Sequence, residues 1–403
     1  MPTSRARRRR ASSATRGCRR ARWWRGRSPG SSSAAWSLRS GRGASTSTGR
    51  RESLREGCLA AANRHNADPV RVSRRLVAFF AALVIASTPA HAGAPRDGDV
   101  FVNAAGSRPW PGPQVTLPFF ARKAWTSLVG RDGGAPRVPY DRAAMLENPS
   151  LTWIGHSTLL VRMDGVTFLT DPVFSERASP VSFAGPKRLV PPGVPLDELP
   201  PIDFVTLSHD HYDHTDLPSI EVLARRGTRF VAGLGMGDLV RDAGGEVLEL
   251  DWGESVEMGA VRVHCVPAQH FSGRSVVGHN RRLWTGWVVE GPTHRFYHAG
   301  DTGYFDGFRA LRERFGRIDV AALPIGAYEP AAIMRFVHLD PEEAVRAALD
   351  LEARYTVPMH WGTFDLTDEP PDEPPRRFRA AADAANLGPD RAWVLAVGET
   401  RRW

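Results

Sequence analysis

Lysine is nearly missing from this 403-residue chain: of 53 basic side chains only Lys123 and Lys187 are lysines. The bias reads as a coding preference rather than a demand for guanidinium chemistry. Cysteine is scarce as well. Cys18 and Cys58 fall in a basic leader and only Cys265 lies beyond it, which excludes a disulfide framework and a multi-cysteine zinc site in the body of the protein. The extended apolar run Leu76 to Ala86 has 11 residues, short of the about 20 that a membrane-spanning helix needs. No Rossmann glycine fingerprint is present. The formal charge of +9 is misleading, because residues 1–75 carry 20 arginines against Glu52, Glu56 and Asp68 alone. From Leu76 onward 33 bases face 41 acids, so the folded part is acidic and nucleic acid is not expected as a partner.

The leader, residues 1–69, is low in complexity, with Arg7 to Arg10 and a run from Ser31 to Ser33. It has little apolar surface to offset chain ordering, and is expected to be disordered or to lie upstream of the true start. Residues 70–92 read as a secretory signal peptide. Arg74 and Arg75 form the positive region, Leu76 to Ala86 the apolar core, and Ala90-His91-Ala92 the small-residue cleavage site. Such signals begin a protein, so translation is expected to start near Val70 or Val72. Cleavage after Ala92 would leave Gly93 to Trp403 as an exported, periplasmic protein with its single thiol free.

Residues 93–150 are rich in Gly, Pro and Arg and are expected to form an N-terminal wrapping segment with one helix near Pro118 to Leu128. Residues 151–403 form the main domain. Leu151 to Ile154, Thr158 to Met163 and Val166 to Thr170 are short β-rich runs, and Asp164-Gly165 is a hairpin-turn signal. A buried-strand pattern from Ile202 to Leu207 follows, then strands at Val247 to Leu250, Val261 to Val266, Leu283 to Val289, Arg295 to His298, Val320 to Leu323 and Tyr355 to Pro358. Helices are expected over Asp216 to Arg226, Gly235 to Ala243, Asp306 to Phe315 and Pro341 to Leu351. Asp340 is read as the cap of the last of these, which makes Glu342 and Glu343 capping charge rather than catalysts. The order predicts two sheets covered by helices, an α/β sandwich.

The chemistry concentrates where the Ile202 strand ends, in Ser208-His209-Asp210-His211-Tyr212-Asp213-His214. Past a strand end, His209 and His211 can point the same way, and the turn brings Asp213 and His214 to a neighbouring position. Two imidazoles and an Asp-His pair offer ligands to two adjacent metals. Further donors stand at loop positions after strands: His270, Asp301 and His360. Mixed His and carboxylate donors suit zinc, and manganese or iron would fit the same set. Such a pair of ions serves hydrolysis without a serine or cysteine nucleophile. Cys265, inside a strand, is read as core. Asp171 and His156 follow strands near the same edge and are expected to orient ligands. His338 is a candidate contact for a phosphate or leaving group. His264, His279, His294 and His298 are read as ordinary, and Met334-Arg335-Phe336 as either a packed loop or a lipid contact.

The histidine string with its separate His, Asp and His positions resembles the metallo-β-lactamase fold superfamily, and within it the N-acyl-phosphatidylethanolamine-hydrolysing phospholipase D family. The resemblance rests on Thr152-Trp153-Ile154-Gly155-His156, Leu169-Thr170-Asp171-Pro172, Gly185-Pro186-Lys187-Arg188, Leu199-Pro200-Pro201-Ile202-Asp203, Ala299 to Tyr304, Pro324 to Pro330, His338 to Ala344 and His360-Trp361-Gly362-Thr363-Phe364. It covers roughly Phe101 to Glu399. It is weakest over Gly93 to Ser150, apart from Phe101-Val102-Asn103, and over Phe271 to Arg282. Asp210 stands where the family has Asn. The resemblance implies an αββα sandwich and two zinc ions, one on His209, His211 and His270, the other on Asp213, His214 and His360, with Asp301 bridging both. Asp301 and His338 are the catalytic candidates.

The activity so implied is phosphodiester hydrolysis of phospholipase D type on (N-acyl) glycerophospholipids. The alternatives are a lactonase or other small-ester metallohydrolase, and a non-catalytic metal-binding protein. The expected partners are a phospholipid or other small phosphodiester, a membrane surface touched peripherally at Trp110 to Trp125 or Met334 to Phe336, and a second copy of the chain as a homodimer.

Overall fold

Short apolar runs separated by tight turns build the first sheet. The computed structural model describes residues 93–106, 111–274 and 278–403, so the leader, the signal peptide and Trp110 lie outside the described residues. A two-stranded ribbon, β1 (Arg96–Asp97) and β2 (Val100–Phe101), precedes helix α1 (Pro113–Val129) and the short helix α2 (Arg142–Met145). Then come β3 (Ser150–Gly155), β4 (Thr158–Met163), β5 (Val166–Thr170) and β6 (Phe204–Leu207). Asp164 and Gly165 turn β4 into β5 with φ of 49° and 84°, the doubly positive pair that matches the twist of a two-residue hairpin. Helix α3 (Leu217–Arg225), β7 (Arg229–Gly233), α4 (Gly237–Asp242) and β8 (Glu246–Leu250) complete this half.

The second half runs β9 (Ser255–Met258), β10 (Val261–Val266), β11 (Gly286–Glu290), β12 (Arg295–His298), α5 (Gly307–Phe315), β13 (Val320–Pro324), α6 (Ala331–Met334), α7 (Pro341–Asp350), β14 (Tyr355–Met359), α8 (Glu373–Ala384) and β15 (Thr400–Arg402). The sheets have the orders β15-β3-β4-β5-β6-β7-β8 and β14-β13-β12-β11-β10-β9. Both are mixed: antiparallel hairpins lead into parallel pairs at β5·β6·β7·β8 and β12·β13·β14.

The first sheet is buried on both faces, which explains its continuous apolar texture. Leu159, Val161, Phe168 and Phe204 face the second sheet, while Leu160, Leu169, Val205 and Leu207 face α3 and α4 with Ile220, Leu223 and Val240. Phe168 stacks on Phe204 with centroids 4.9 Å apart, and Phe296 meets it edge-on from the other sheet. Truncating Phe168 to Ala would cost about 3–5 kcal/mol. The αββα sandwich read from the sequence is the architecture observed.

Boundaries differ in instructive places. Helix α1 begins at Pro113, five residues before the expected Pro118, because a proline at the first helical position lacks only an N–H that has no helical partner anyway. The strand expected over Leu283 to Val289 starts at Gly286. Leu283 and Thr285 instead donate their N–H groups to Leu234 and Ser208, stitching the second sheet to strand ends of the first. Helix α8 opens on Glu373-Pro374-Pro375, which reads as a loop, and is held by Phe378 and Ala382, four residues apart on its buried face. The cap at Asp340 is formed as expected: its carboxylate accepts from Glu343 N at 2.8 Å, and Glu343 returns the bond.

Candidate metal centre

Strand ends deliver the site. Asp171 follows β5, the histidine string follows β6, His270 follows β10, Asp301 follows β12 and His360 follows β14, while His156 sits in the β3–β4 turn and His338 between α6 and α7. All seven metal-ligand candidates converge, and His338 joins them. His156, Asp171 and His360 adopt φ of 54°, 36° and 62°, a left-handed conformation that non-glycine residues rarely hold and that clusters at functional sites.

The donors form two groups about Asp301. His209 Nε2 lies 2.9 Å from His211 Nδ1, which lies 3.3 Å from His270 Nε2. On the other side, Asp213 Oδ2 is 3.6 Å from His214 Nε2 and 3.4 Å from His360 Nε2. Asp301 Oδ2 stands between them, 3.1 Å from His214 Nε2 and His360 Nε2, 3.8 Å from His270 Nε2 and 3.9 Å from His209 Nε2. His338 Nδ1 is 3.9 Å from the same oxygen.

The outer atoms of the rings are held. His214 Nδ1 donates to Asp171 Oδ2 at 2.8 Å, His270 Nδ1 donates to Val337 O at 2.9 Å, and His209 Nδ1 pairs with Ser208 Oγ at 2.9 Å. Ser208 in turn donates to Asp171 through its N–H and its hydroxyl. His156 Nε2 donates to Asp213 Oδ2 at 2.9 Å. The inward atoms are not satisfied: His214 Nε2, both His360 ring nitrogens and Asp301 Oδ1 are buried without a hydrogen-bond partner. Buried polar atoms ordinarily have one. The His214 ring, anchored at Nδ1 and free at Nε2, and the unpaired His360 nitrogens and Asp301 Oδ1 beside it, at separations matching donors around ions bonded at about 2.0–2.1 Å, fit divalent metals.

Electrostatics follow from burial and mutual contact. Burial alone would raise the Asp301 carboxyl, but His214, His360 and His338 outweigh it and hold it well below the usual carboxylate range. Burial would raise Asp213 likewise, but the His214 charge and the hydrogen bonds of His156 and His360 hold it well below the usual range. Burial would lower His360, yet Asp301 and Asp213 bring it up to about 9, and His214 is likewise raised. His209 and His270 fall well below the imidazole range through burial and neighbouring rings. Burial also takes His156 to about 3 and His338 to about 4.

Other residues take defined places around the site. His298, read as ordinary, is fully buried with Nε2 3.9 Å from Asp171 Oδ2. Asn103 was not singled out by its chemistry, yet its side chain brackets the His270 backbone, donating to its carbonyl at 2.8 Å and accepting from its N–H at 3.0 Å. The isolated match at Phe101-Val102-Asn103 was the signal for it. Met334 closes α6, Arg335 pairs with Glu343 while its side chain stays largely exposed, and the Phe336 carbonyl accepts from Gln269. Cys265 is buried core, its thiol pushed up by burial. Asp210 is buried, accepting from Gly273 N and Arg282, and does not face the donors.

Comparison with known proteins places the chain among relatives of this fold. The family model described as beta-lactamase superfamily domain matches residues 167–361. The chain is 45% identical over 245 residues to an uncharacterised protein of Mycobacterium tuberculosis, a match spanning 59% of this chain and 65%, just under two thirds, of that one. It is 41% identical over 257 residues to the N-acyl-phosphatidylethanolamine-hydrolyzing phospholipase D 1 of Caenorhabditis elegans, covering 60% of this chain and 72% of that protein. Among solved structures, a possible metal-dependent hydrolase of Veillonella parvula shares the fold, with a TM-score of 0.51 at 18% identity over 62% of this chain and 98% of that one.

Proposed function

The chain belongs to the metallo-β-lactamase superfamily of metal-dependent hydrolases, and within it we propose a binuclear phosphodiesterase of phospholipase D type, acting on N-acylated or ordinary glycerophospholipids. The observation that carries this reading is the place of Asp301, one buried carboxylate flanked by His209, His211 and His270 on one side and by Asp213, His214 and His360 on the other. Those two groups would hold one ion each, with Asp301 shared, and the N/O donor set favours zinc. The substrate class is supported by the 41% identity to the nematode phospholipase D.

When bound, a pair of divalent ions supplies an acidified water and positive charge for the oxygens of a phosphodiester. The chain's own groups do the rest. Asp171 and Ser208 hold the rings of His214 and His209 from behind. His338 is neutral at pH 7, with Nδ1 unpartnered and turned towards Asp301, so it can accept a proton from an attacking water at that atom. The buried rings of His209, His214, His270 and His360 and the packed 360–364 loop confine solvent to the side of His211 and Asp213.

A substrate held in a bilayer needs an apolar approach. Helix α1 exposes Leu117 (67%), Phe120 (55%), Trp125 (65%) and Val129 (57%), and Lys123 and Arg131 tie it to Asp365, five residues past His360. Exposed aromatic and aliphatic side chains on one helix suit a lipid surface. No helix among the described residues is long and apolar enough to cross a membrane.

The test is a hydrolysis panel with the zinc-loaded chain on vesicles of N-acyl-phosphatidylethanolamine and phosphatidylcholine, a soluble phosphodiester, lactones and a β-lactam. Phosphatidic acid release supports the proposal. Lactone or β-lactam opening with no phosphodiester cleaved overturns it.

A further inference from the structure

We propose that His156 is the positioning residue for the Asp213–His360 half of the cluster: from the β3–β4 turn it donates to the Asp213 carboxylate through its ring and accepts the His360 N–H on its carbonyl. The inference rests on the binuclear reading above and adds how the second group of donors is held.

Three observations converge on this residue. Its Nε2 is committed, 2.9 Å from Asp213 Oδ2. Its ring lies against the His360 ring, with centroids 3.9 Å apart, and meets His214 at 5.3 Å and Phe364 at 5.2 Å edge-on. Its backbone is clamped: the N–H donates to Thr363 Oγ1 at 2.8 Å, and the carbonyl accepts from Trp153 Nε1 at 2.9 Å and from His360 N at 3.1 Å. One buried residue therefore touches the loop after β6 with its ring and the loop after β14 with its backbone. It does so at a φ of 54°, a conformation that persists where surrounding contacts over-determine it.

The division of labour is physical. Asp171 and Ser208 support His209 and His214 but reach neither Asp213 nor His360 in any contact found among the described residues. Asp213 retains partial exposure, 13% of its side chain, so without a donor on Oδ2 its rotamer would be set by solvent as much as by the site. An imidazole N–H on that oxygen leaves the remaining acceptor sites of the carboxylate for an ion, the arrangement by which outer groups orient ligands. His156, Asp213, His214 and His360 also lie close enough for His156 to act as a ligand itself, and the experiment separates the two roles.

The full chain is reconstituted with zinc and, separately, with cobalt, and metal content and the cobalt absorption spectrum are measured for wild type, His156→Ala and His156→Gln. The expected result is two ions in wild type. His156→Ala should keep one ion and hold the second about 10- to 100-fold more weakly. His156→Gln should recover the second ion, because its amide N–H can stand where the ring N–H stood. Retention of the first ion by the Ala variant shows that it has folded. Wild-type affinity for both ions in the Ala variant overturns the inference while leaving the binuclear reading intact. Loss in both variants also overturns it, since the imidazole would then be a ligand rather than a support. A wild-type chain that holds a single ion sinks the binuclear reading and the inference with it.

Discussion

Asp171 accepts the Nδ1–H of His214 at 2.8 Å, with both side chains completely buried. The same carboxylate takes the N–H and hydroxyl of Ser208, so one acidic residue at the end of β5 orients the loop after β6. Replacing Asp171 by Asn would present an amide donor to at least one of these donors. Zinc affinity should drop about 10- to 100-fold, read by competition with a chromophoric chelator. Unchanged affinity would remove Asp171 from the support of the site.

Asp301→Asn takes away the shared carboxylate charge without touching the core between the sheets. Hydrolysis should fall by about 100-fold or more, and elemental analysis should find fewer than two ions per chain in a protein whose circular dichroism is unchanged. Near-normal turnover with two ions bound would show that Asp301 does not bridge.

His338 makes a different prediction, because its Nδ1 is free and it stands outside the two groups of donors, between α6 and α7. In His338→Ala the metal content should stay at the wild-type level while turnover falls about 10²- to 10⁴-fold, the range for loss of a proton-transfer group. Equal loss of metal and activity would make it a ligand.

The metal-free chain should be most stable near pH 6.5. His360, held near 9 by Asp301 and Asp213 against its burial, binds its proton more tightly when folded. That contribution is complete below about pH 6.5 and is lost as pH rises through 9. His156 near 3 and His338 near 4, both lowered by burial, act in the opposite sense. Their contribution is complete above about 6.5 and is lost as pH falls towards 4 and 3. Thermal melts of chelator-treated protein should therefore decline on both sides of pH 6.5. Zinc affinity should climb between 6.5 and 9, because binding displaces the His360 proton. A melting temperature that keeps rising to pH 9 would contradict this assignment of charge.

Helix α1 supplies a test of the lipid surface. Phe120→Ser with Trp125→Ser removes exposed apolar area and should change folding stability by about 0.5 kcal/mol or less per site. Turnover on vesicles should fall several-fold while turnover on a soluble phosphodiester is preserved. Equal rates on vesicles before and after substitution would exclude this face as the contact.

Much of the site could be read from spacing. His209, His211, Asp213 and His214 share one turn, and His270, Asp301 and His360 each follow a strand, so the β-strand pattern placed all seven at one edge. Asn103 could not be read that way, because it meets His270 across 167 residues and only chain packing brings them together. His298 carried no motif, and its burial beside Asp171 depends on the pairing of β12 between β11 and β13. Strand β15, Thr400–Arg402, has the charge of a surface tail, and its order comes from backbone bonds to β3 rather than from side-chain preference.

The amino-acid sequence by itself determined most strands and helices of the sandwich and the candidate donors, because apolar runs buried on two faces, turn residues and polar residues at strand ends are local properties. Tertiary structure alone decided which nitrogen of each ring points inward, that Asp301 stands between the two groups, and that His156 links Asp213 to His360. Those outcomes depend on hydrogen bonds between segments tens to hundreds of residues apart, among them His214 with Asp171 across 43 residues and His156 with Thr363 across 207. Such bonds form only when both sheets are in register, and no local pattern encodes them.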